Sequence, residues 1–305
     1  MLSTVRPASR TISRQPLFPR QLAAGLLLIA LAWPVAWFGP VRLAEYSFFP
    51  LWFGYILTVD GIVERRTGSS LVRRSPGRFA ALFLVSIPIW WLYEAVNERL
   101  GNWQYLYPRE VGFFVRHARA SVAFSTVVPA LFETADLFRS IVLPRRIPRW
   151  IRISPSPRSL LPFSALGALM IALCLVFPRQ AFPLAWLGFF FLIDPIVYLL
   201  GGRSISAQVA RGHWDTVIAL FWAGITCGFF WELWNFWSMP KWIYHIPYVD
   251  RPKLFEMPLM GYGGYLPFAL EVYATVQAVN LLARVFPPGY LRFDEVEEPP
   301  PSREP

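Results

Sequence analysis

Carboxylates recur at matching places inside apolar stretches of this chain. Glu94-Ala95-Val96-Asn97 aligns with Glu232-Leu233-Trp234-Asn235, and Pro129-Ala130-Leu131-Phe132-Glu133 aligns with Pro267-Phe268-Ala269-Leu270-Glu271. The step is 39 positions both times, from 94 to 133 and from 232 to 271. A carboxylate in a bilayer interior costs ~2.5–3.5 kcal/mol on insertion scales, so such residues mark sites or buried pairs. One chemistry open to them is acid catalysis on an alkene. A Glu kept neutral by apolar surroundings protonates a double bond, and aromatic faces stabilise the resulting cation. Glu94, Glu133, Glu232 and Glu271 are the candidate catalytic residues. No cofactor is required for this chemistry.

The neighbours of these acids supply candidate binding groups. Glu and Asn at i and i+3 share one helix face, so Asn97 and Asn235 extend each Glu into a two-pronged polar patch. Each patch is followed by a Trp-x-Tyr element, Trp103-Gln104-Tyr105 and Trp242-Ile243-Tyr244. Trp231 and Trp234 flank Glu232 on its own helix, and Glu256 lies in the loop beyond. Asn97, Asn235, Trp103, Tyr105, Trp231, Trp234, Trp242, Tyr244 and Glu256 are the candidate substrate-binding groups. Glu133 is followed one turn later by Asp136, where the second copy has Ala274, so the copies have diverged. Asp60 precedes Gly61 and Asp194 precedes Pro195, and each fits the satisfaction of a local backbone break. Asp215 reads as a helix N-cap. The bland alternative for the glutamates is structural, because interhelical bonds in a membrane average ~0.6 kcal/mol and still hold bundles together.

The elements that position these groups are membrane helices. Hydrophobic residues make up 55% of 305, aromatic residues 17% and charged residues only 16%, where soluble domains carry roughly 25% charged. Mean hydropathy is +0.41. A helix needs ~20 apolar residues to span a bilayer. Eight stretches qualify: 22–39, 46–63, 79–97, 120–143, 160–177, 182–201, 215–237 and 262–286. The predicted fold class is an all-α polytopic bundle of two tandem four-helix repeats. Trp52 to Val63 aligns with Trp186 to Val197, which extends the duplication. Four spans per copy is an even number, so both copies insert the same way up, as parallel repeats.

Loop charge then sets direction. Arginines crowd the loops at 6–20, 65–78, 145–158 and 203–211 and are sparser in the others. The positive-inside rule places the richer loops and both termini in the cytoplasm, in a bacterial inner membrane. The domain plan is a basic disordered segment 1–20, repeat 21–143, a basic linker 144–159, repeat 160–286 and an acidic, Pro-rich disordered tail 287–305. In this arrangement the four glutamates gather in the outer half of the bilayer. The formal charge of +10 is explained by these loops, and nucleic acid is not an expected partner. The partners expected are bilayer lipid and an apolar, isoprenoid-type ligand. Cys174 and Cys227 fall inside apolar helices and read as small core fillers. No His–carboxylate spacing points to a metal, and no phosphate loop, dinucleotide fingerprint or nucleophile elbow is present.

Two resemblances sharpen these expectations. The segments Trp231-Glu232-Leu233-Trp234-Asn235 and Phe255-Glu256-Met257-Pro258-Leu259 resemble uncharacterised bacterial multi-pass membrane proteins that carry the same two motifs. The order of Trp-x-Tyr, the Glu256 loop, Pro267 and Glu271 is similar to the small-helix-repeat lycopene cyclases, over 230–275 and more faintly 90–135. Those enzymes show adjacent carboxylates after the proline, whereas Glu271 stands alone. The second resemblance implies a cyclase- or hydratase-like activity on an isoprenoid. Two other functions stay open on the sequence: a proton-coupled transporter or channel, and a membrane scaffold without chemistry.

Overall fold

A computed structural model describes residues 18–142, 151–153 and 155–294. Among them, nine long helices form the body: α1 Arg20–Phe38, α2 Phe48–Thr67, α3 Pro76–Leu100, α4 Phe113–Phe124, α5 Val127–Val142, α6 Pro157–Val176, α7 Ala185–Leu199, α8 Asp215–Asn235 and α9 Tyr265–Ala283. Local chemistry sets their limits. Ser75 caps α3, accepting from the Arg78 N–H with Pro76 in the first turn, and Ser156 forms a capping box with Ser159 ahead of α6. α3 ends at Gly101, whose φ of 65° suits a residue without Cβ.

Seven helical stretches among the described residues are long and apolar enough to cross a membrane: Arg20–Phe38, Pro76–Leu100, Phe113–Ile141, Pro157–Val176, Pro178–Leu199, Asp215–Asn235 and Leu259–Ala283. The stretch expected to span at 46–63 is helical as α2 but is not among these seven. It has 20 residues but carries Asp60, Glu64, Arg65 and Arg66, too many charges for composition alone to mark it. The expected span 120–143 starts earlier and is broken into α4 and α5 at Ser125 and Thr126. Ser86 on α3 spans the break. Its hydroxyl donates to the Phe124 carbonyl at 2.5 Å and accepts from the Val128 N–H at 3.1 Å. Backbone groups freed at a break inside a bundle must be paired in this way.

Small residues bring helices together. α1 lies along α2 and α6 along α7. A Cβ on Gly25 would strike Thr58 and the Gly54 carbonyl, and one on Gly167 would strike Leu192 and the Gly188 carbonyl. Such close approach of small residues substitutes for the hydrophobic driving force that lipid removes. α2, α5 and α8 meet at the centre, where the Tyr55 hydroxyl lies 2.8 Å from the Thr134 hydroxyl and Thr134 touches Cys227.

Short strands cross one end of the bundle, which the all-helical expectation omits. β1, Trp103–Leu106, pairs antiparallel with β2, Lys241–Tyr244, with Trp103 opposite Tyr244 and Tyr105 opposite Trp242. β3, Lys253–Leu254, pairs with β4, Met257–Pro258. At the opposite end, the tail expected to be disordered from Pro287 instead packs as far as Asp294. Leu291 and Phe293 are fully buried, and Thr216 and Arg139 donate to the Phe293 carbonyl at 2.9 and 3.0 Å. The bulk of Tyr290, Leu291 and Phe293 outweighs the acidic character of the rest of the tail. Residues 1–17, 143–150, 154 and 295–305, which hold most of the expected basic segment and tail and half of the expected linker, lie outside the described residues.

Candidate functional site

The strand end encloses a cavity of about 800 Å³, within the size range of small-molecule sites. Its wall is aromatic. Trp90, Trp103, Tyr105, Trp231, Trp234, Trp242, Tyr244 and Tyr265 all line it, with Trp186 and Phe268. Six of these are sequence-predicted binding residues: Trp103, Tyr105, Trp231, Trp234, Trp242 and Tyr244.

Two glutamates hold the polar tips of that wall from behind. One oxygen of Glu94 accepts from Trp90 Nε1 at 2.8 Å, Trp103 Nε1 at 3.1 Å and the Tyr105 hydroxyl at 2.6 Å. One oxygen of Glu232 accepts from the hydroxyls of Tyr244 and Tyr265 at 2.7 and 2.8 Å and from Trp242 Nε1 at 3.4 Å. Neither glutamate borders the cavity itself. Each anchors three ring edges, so that the apolar rings form the wall. Burial, then the neighbouring Glu94, pushes the Tyr105 phenol well above its usual range, and burial with Glu232 does the same for Tyr244. Both stay neutral donors.

The asparagines act on backbone. Asn97 donates to the Trp103 carbonyl at 2.8 Å and accepts from the N–H groups of Asn102 and Trp103 at 2.9 and 3.2 Å. Asn235 donates to the Trp242 carbonyl at 2.7 Å and accepts from its N–H at 2.8 Å. They clamp the strands to the ends of α3 and α8 and do not line the cavity, which corrects their expected role in touching a ligand. Glu256 forms an ion pair with Lys241 and likewise stands off the cavity.

The four glutamates do not gather at one depth. Glu133 lies in the cluster at the opposite end, where its carboxyl faces Asp60 with Asp136 and Arg74 alongside. Arg74 pairs with Asp136 there, and Gln21 donates to Asp60 at 3.1 Å. Glu271 faces a gap of about 10 Å³ bordered by Tyr93, Trp103, Trp186 and Phe189, on the far side of the cavity wall. Neither oxygen of Glu133 or of Glu271 finds a donor among the described residues. The expectation of one outer cluster fails because α5 and α9 turn their glutamates toward different neighbours.

Asp60 and Asp194 serve short helices that come after them in the chain and not their own breaks. Asp60 accepts from the Val72 N–H at 3.0 Å, at the start of the short helix Leu71–Arg74. Asp194 accepts from the N–H groups of Ile205 and Ser206 at 2.7 and 2.9 Å, at the start of Ile205–Ala210. Asp215 begins α8 without capping it and lies 3.8 Å from His213.

Sequence reading missed Trp90, Tyr265 and the arginines of α4. Trp90 was detectable, standing one turn before Glu94 on the same face. The position four before Glu232 is Gly228, where a Cβ would collide with the Tyr265 ring. Tyr265 thus supplies from α9 the third donor that Trp90 supplies from within α3. Arg116 and Arg119 also line the cavity, with Glu45 beside them. The hydrogen bonds and positive charge of Arg109, and then of Arg119, outweigh burial and hold the Glu45 carboxyl down at about 2.

No protein-family model, curated protein or solved structure matches the chain. The residues of the site therefore carry the functional reading.

Proposed function

We propose that the chain is an eight-span integral membrane protein of two tandem parallel repeats, and that its cavity receives an apolar, isoprenoid-type lipid for cofactor-free acid chemistry. The strand end then lies in the outer leaflet of a bacterial inner membrane, with both termini in the cytoplasm. The observation that carries this reading is the cavity itself, with aromatic faces inward and two carboxyls behind them. Such a space excludes water, accepts hydrocarbon and stabilises a cation through ring faces and buried negative charge. Val122 and Met260 line it while 50% and 72% exposed, as fits an opening toward lipid.

The chemistry balances without a cofactor. Glu232 does not border the cavity, so the lining Tyr244 passes the proton: its O–H bond breaks as a C–H bond forms on one alkene carbon, leaving a cation on the other carbon, and the Glu232 carboxyl returns a proton to the Tyr244 oxygen. Later loss of a proton to the carboxylate restores the acid. Glu232 is best placed, because Tyr244 and Tyr265 contact both its carboxyl and the cavity. Glu94 is its counterpart across the strands. The repeat reading draws support from the matched pairs α1–α2 and α6–α7, the matched clamps of Asn97 and Asn235, and the β1–β2 register, which places each Trp opposite a Tyr as a two-fold axis requires.

Mass spectrometry of lipids copurifying with the wild type and a folded Glu232→Gln variant tests the proposal. A specific isoprenoid retained by the wild type, and altered or lost in the variant, is the expected result. Bulk phospholipid alone in both overturns it. A second reading, proton-coupled transport, draws on Asp60, Glu133 and Asp136 packed together at the opposite end. Proton flux in liposomes that falls with Glu133→Gln would favour that reading.

A further inference from the structure

We infer that the cavity takes an amphiphile with an anionic, phosphate-type head, bound where Arg116 and Arg119 stand at its mouth. The inference rests on the lipid-cavity reading above and names the ligand class more closely. The two arginines are one turn apart on α4, so they share a face, and both line the cavity. A neutral hydrocarbon makes no use of guanidinium groups at its mouth, whereas an anionic head there would answer Arg116, which no acid of the protein pairs among the described residues.

The rim holds Arg119 in place and leaves Arg116 free to meet a ligand. Glu45, its side chain only 1% exposed, accepts from Arg109 Nε at 2.7 Å, Arg109 Nη2 at 2.9 Å and Arg119 Nη1 at 2.6 Å. Arg119 also donates to the Tyr46 hydroxyl and lies over the Tyr46 ring at 4.4 Å. Its guanidinium is thereby fixed from two sides. Arg116 makes no ion pair or side-chain hydrogen bond among the described residues and is exposed at the mouth. Three arginines against Glu45 and the exposed Glu110 leave the rim net positive. Paired guanidinium forks match the geometry of a phosphate oxygen pair. The apolar chain of the same molecule would then lie along Trp90, Trp231 and Phe268, inside.

Titration of the detergent-solubilised full chain with farnesyl phosphate, farnesol and inorganic phosphate, read by tryptophan fluorescence, tests the inference. Farnesyl phosphate is expected to bind about tenfold more tightly than farnesol, the gain of charge-assisted hydrogen bonds. Arg116→Gln, an exposed change that leaves Glu45 paired, is expected to erase most of that difference and spare farnesol binding. Equal binding of farnesol and farnesyl phosphate would overturn the anionic head and leave the lipid cavity standing. Inorganic phosphate competing at the same concentration as farnesyl phosphate would make this a free-anion site and overturn the amphiphile. If no farnesyl compound binds, both this inference and the lipid reading fall.

Discussion

Glu94 and Glu232 each give one oxygen to three donors, and this decides what their substitutions do. Gln keeps an acceptor oxygen in place but removes the acidic proton. Glu232→Gln is therefore expected to change unfolding free energy by less than ~1 kcal/mol while abolishing ligand chemistry. Glu232→Ala removes the acceptor of the Tyr244 and Tyr265 O–H groups, although Tyr244 still accepts from Trp242 Nε1, and is expected to cost ~1–3 kcal/mol. Thermal unfolding of both variants in detergent, alongside the lipid analysis, separates the two effects. If Gln destabilises as much as Ala, the carboxyl is only a brace. Glu45 yields a pH prediction of definite sign. Its folded-state value of about 2 lies below the ordinary 4.5, so its contribution to stability is full above 4.5 and is lost as pH falls toward 2. The melting point of the wild type should therefore fall more steeply than that of Glu45→Gln across that window. Parallel curves would show that the Arg109 and Arg119 pairs contribute nothing. Spacing alone disclosed the acids and most of the aromatic wall, because i, i+3 and Trp-x-Tyr patterns are local. Which oxygen meets which ring depends on contacts such as Tyr265 over Gly228, which no local pattern encodes.

Elements whose ends are set by local chemistry were the readable ones. Apart from α4 and α5, which a single run spans, the apolar runs marked the long helices to within a few residues, and Gly101 and the Ser156 cap mark real ends. The break between α4 and α5 was not readable, because an apolar run continues through it and Ser125 and Thr126 tolerate a helix. Its cause lies on another helix, at Ser86. Ser86→Ala removes the partner of both the Phe124 carbonyl and the Val128 N–H, at a buried site. It is expected to destabilise by ~1–3 kcal/mol, visible as a lower melting temperature. No change would mean that the break is held by packing alone. The packed turn at 290–294 escaped reading for the opposite reason. Its apolar residues are few and irregularly spaced beside an acidic run, and only the arrival of Arg203, which pairs with Asp294 at 2.9 Å, and of Thr216 gives them a place.

At the scale of the whole molecule, the two halves of the chain are interlocked through the aromatic cavity. Trp90, Trp103 and Tyr105 come from the first half and Trp231, Trp242 and Tyr244 from the second, and the β1–β2 pair seams them. Trp37 Nε1 on α1 donates to the Trp234 carbonyl on α8 at 3.2 Å, and α5 packs against α8. A half on its own would expose the aromatic wall, leave the strand edge unpaired and uncover the central face of α5 or α8. Separate folding of the halves is thus disfavoured, although each has its own set of helices. Fragments 1–146 and 147–305, coexpressed, are expected to copurify as one complex that retains any lipid held by the intact chain, because the cut falls between the halves and severs none of these contacts. Either fragment expressed alone is expected to aggregate in detergent and retain no specific lipid. Size-exclusion chromatography of the fragments with lipid mass spectrometry checks both expectations. A stable half that binds ligand by itself would place the working site within one copy and make the shared cavity incidental.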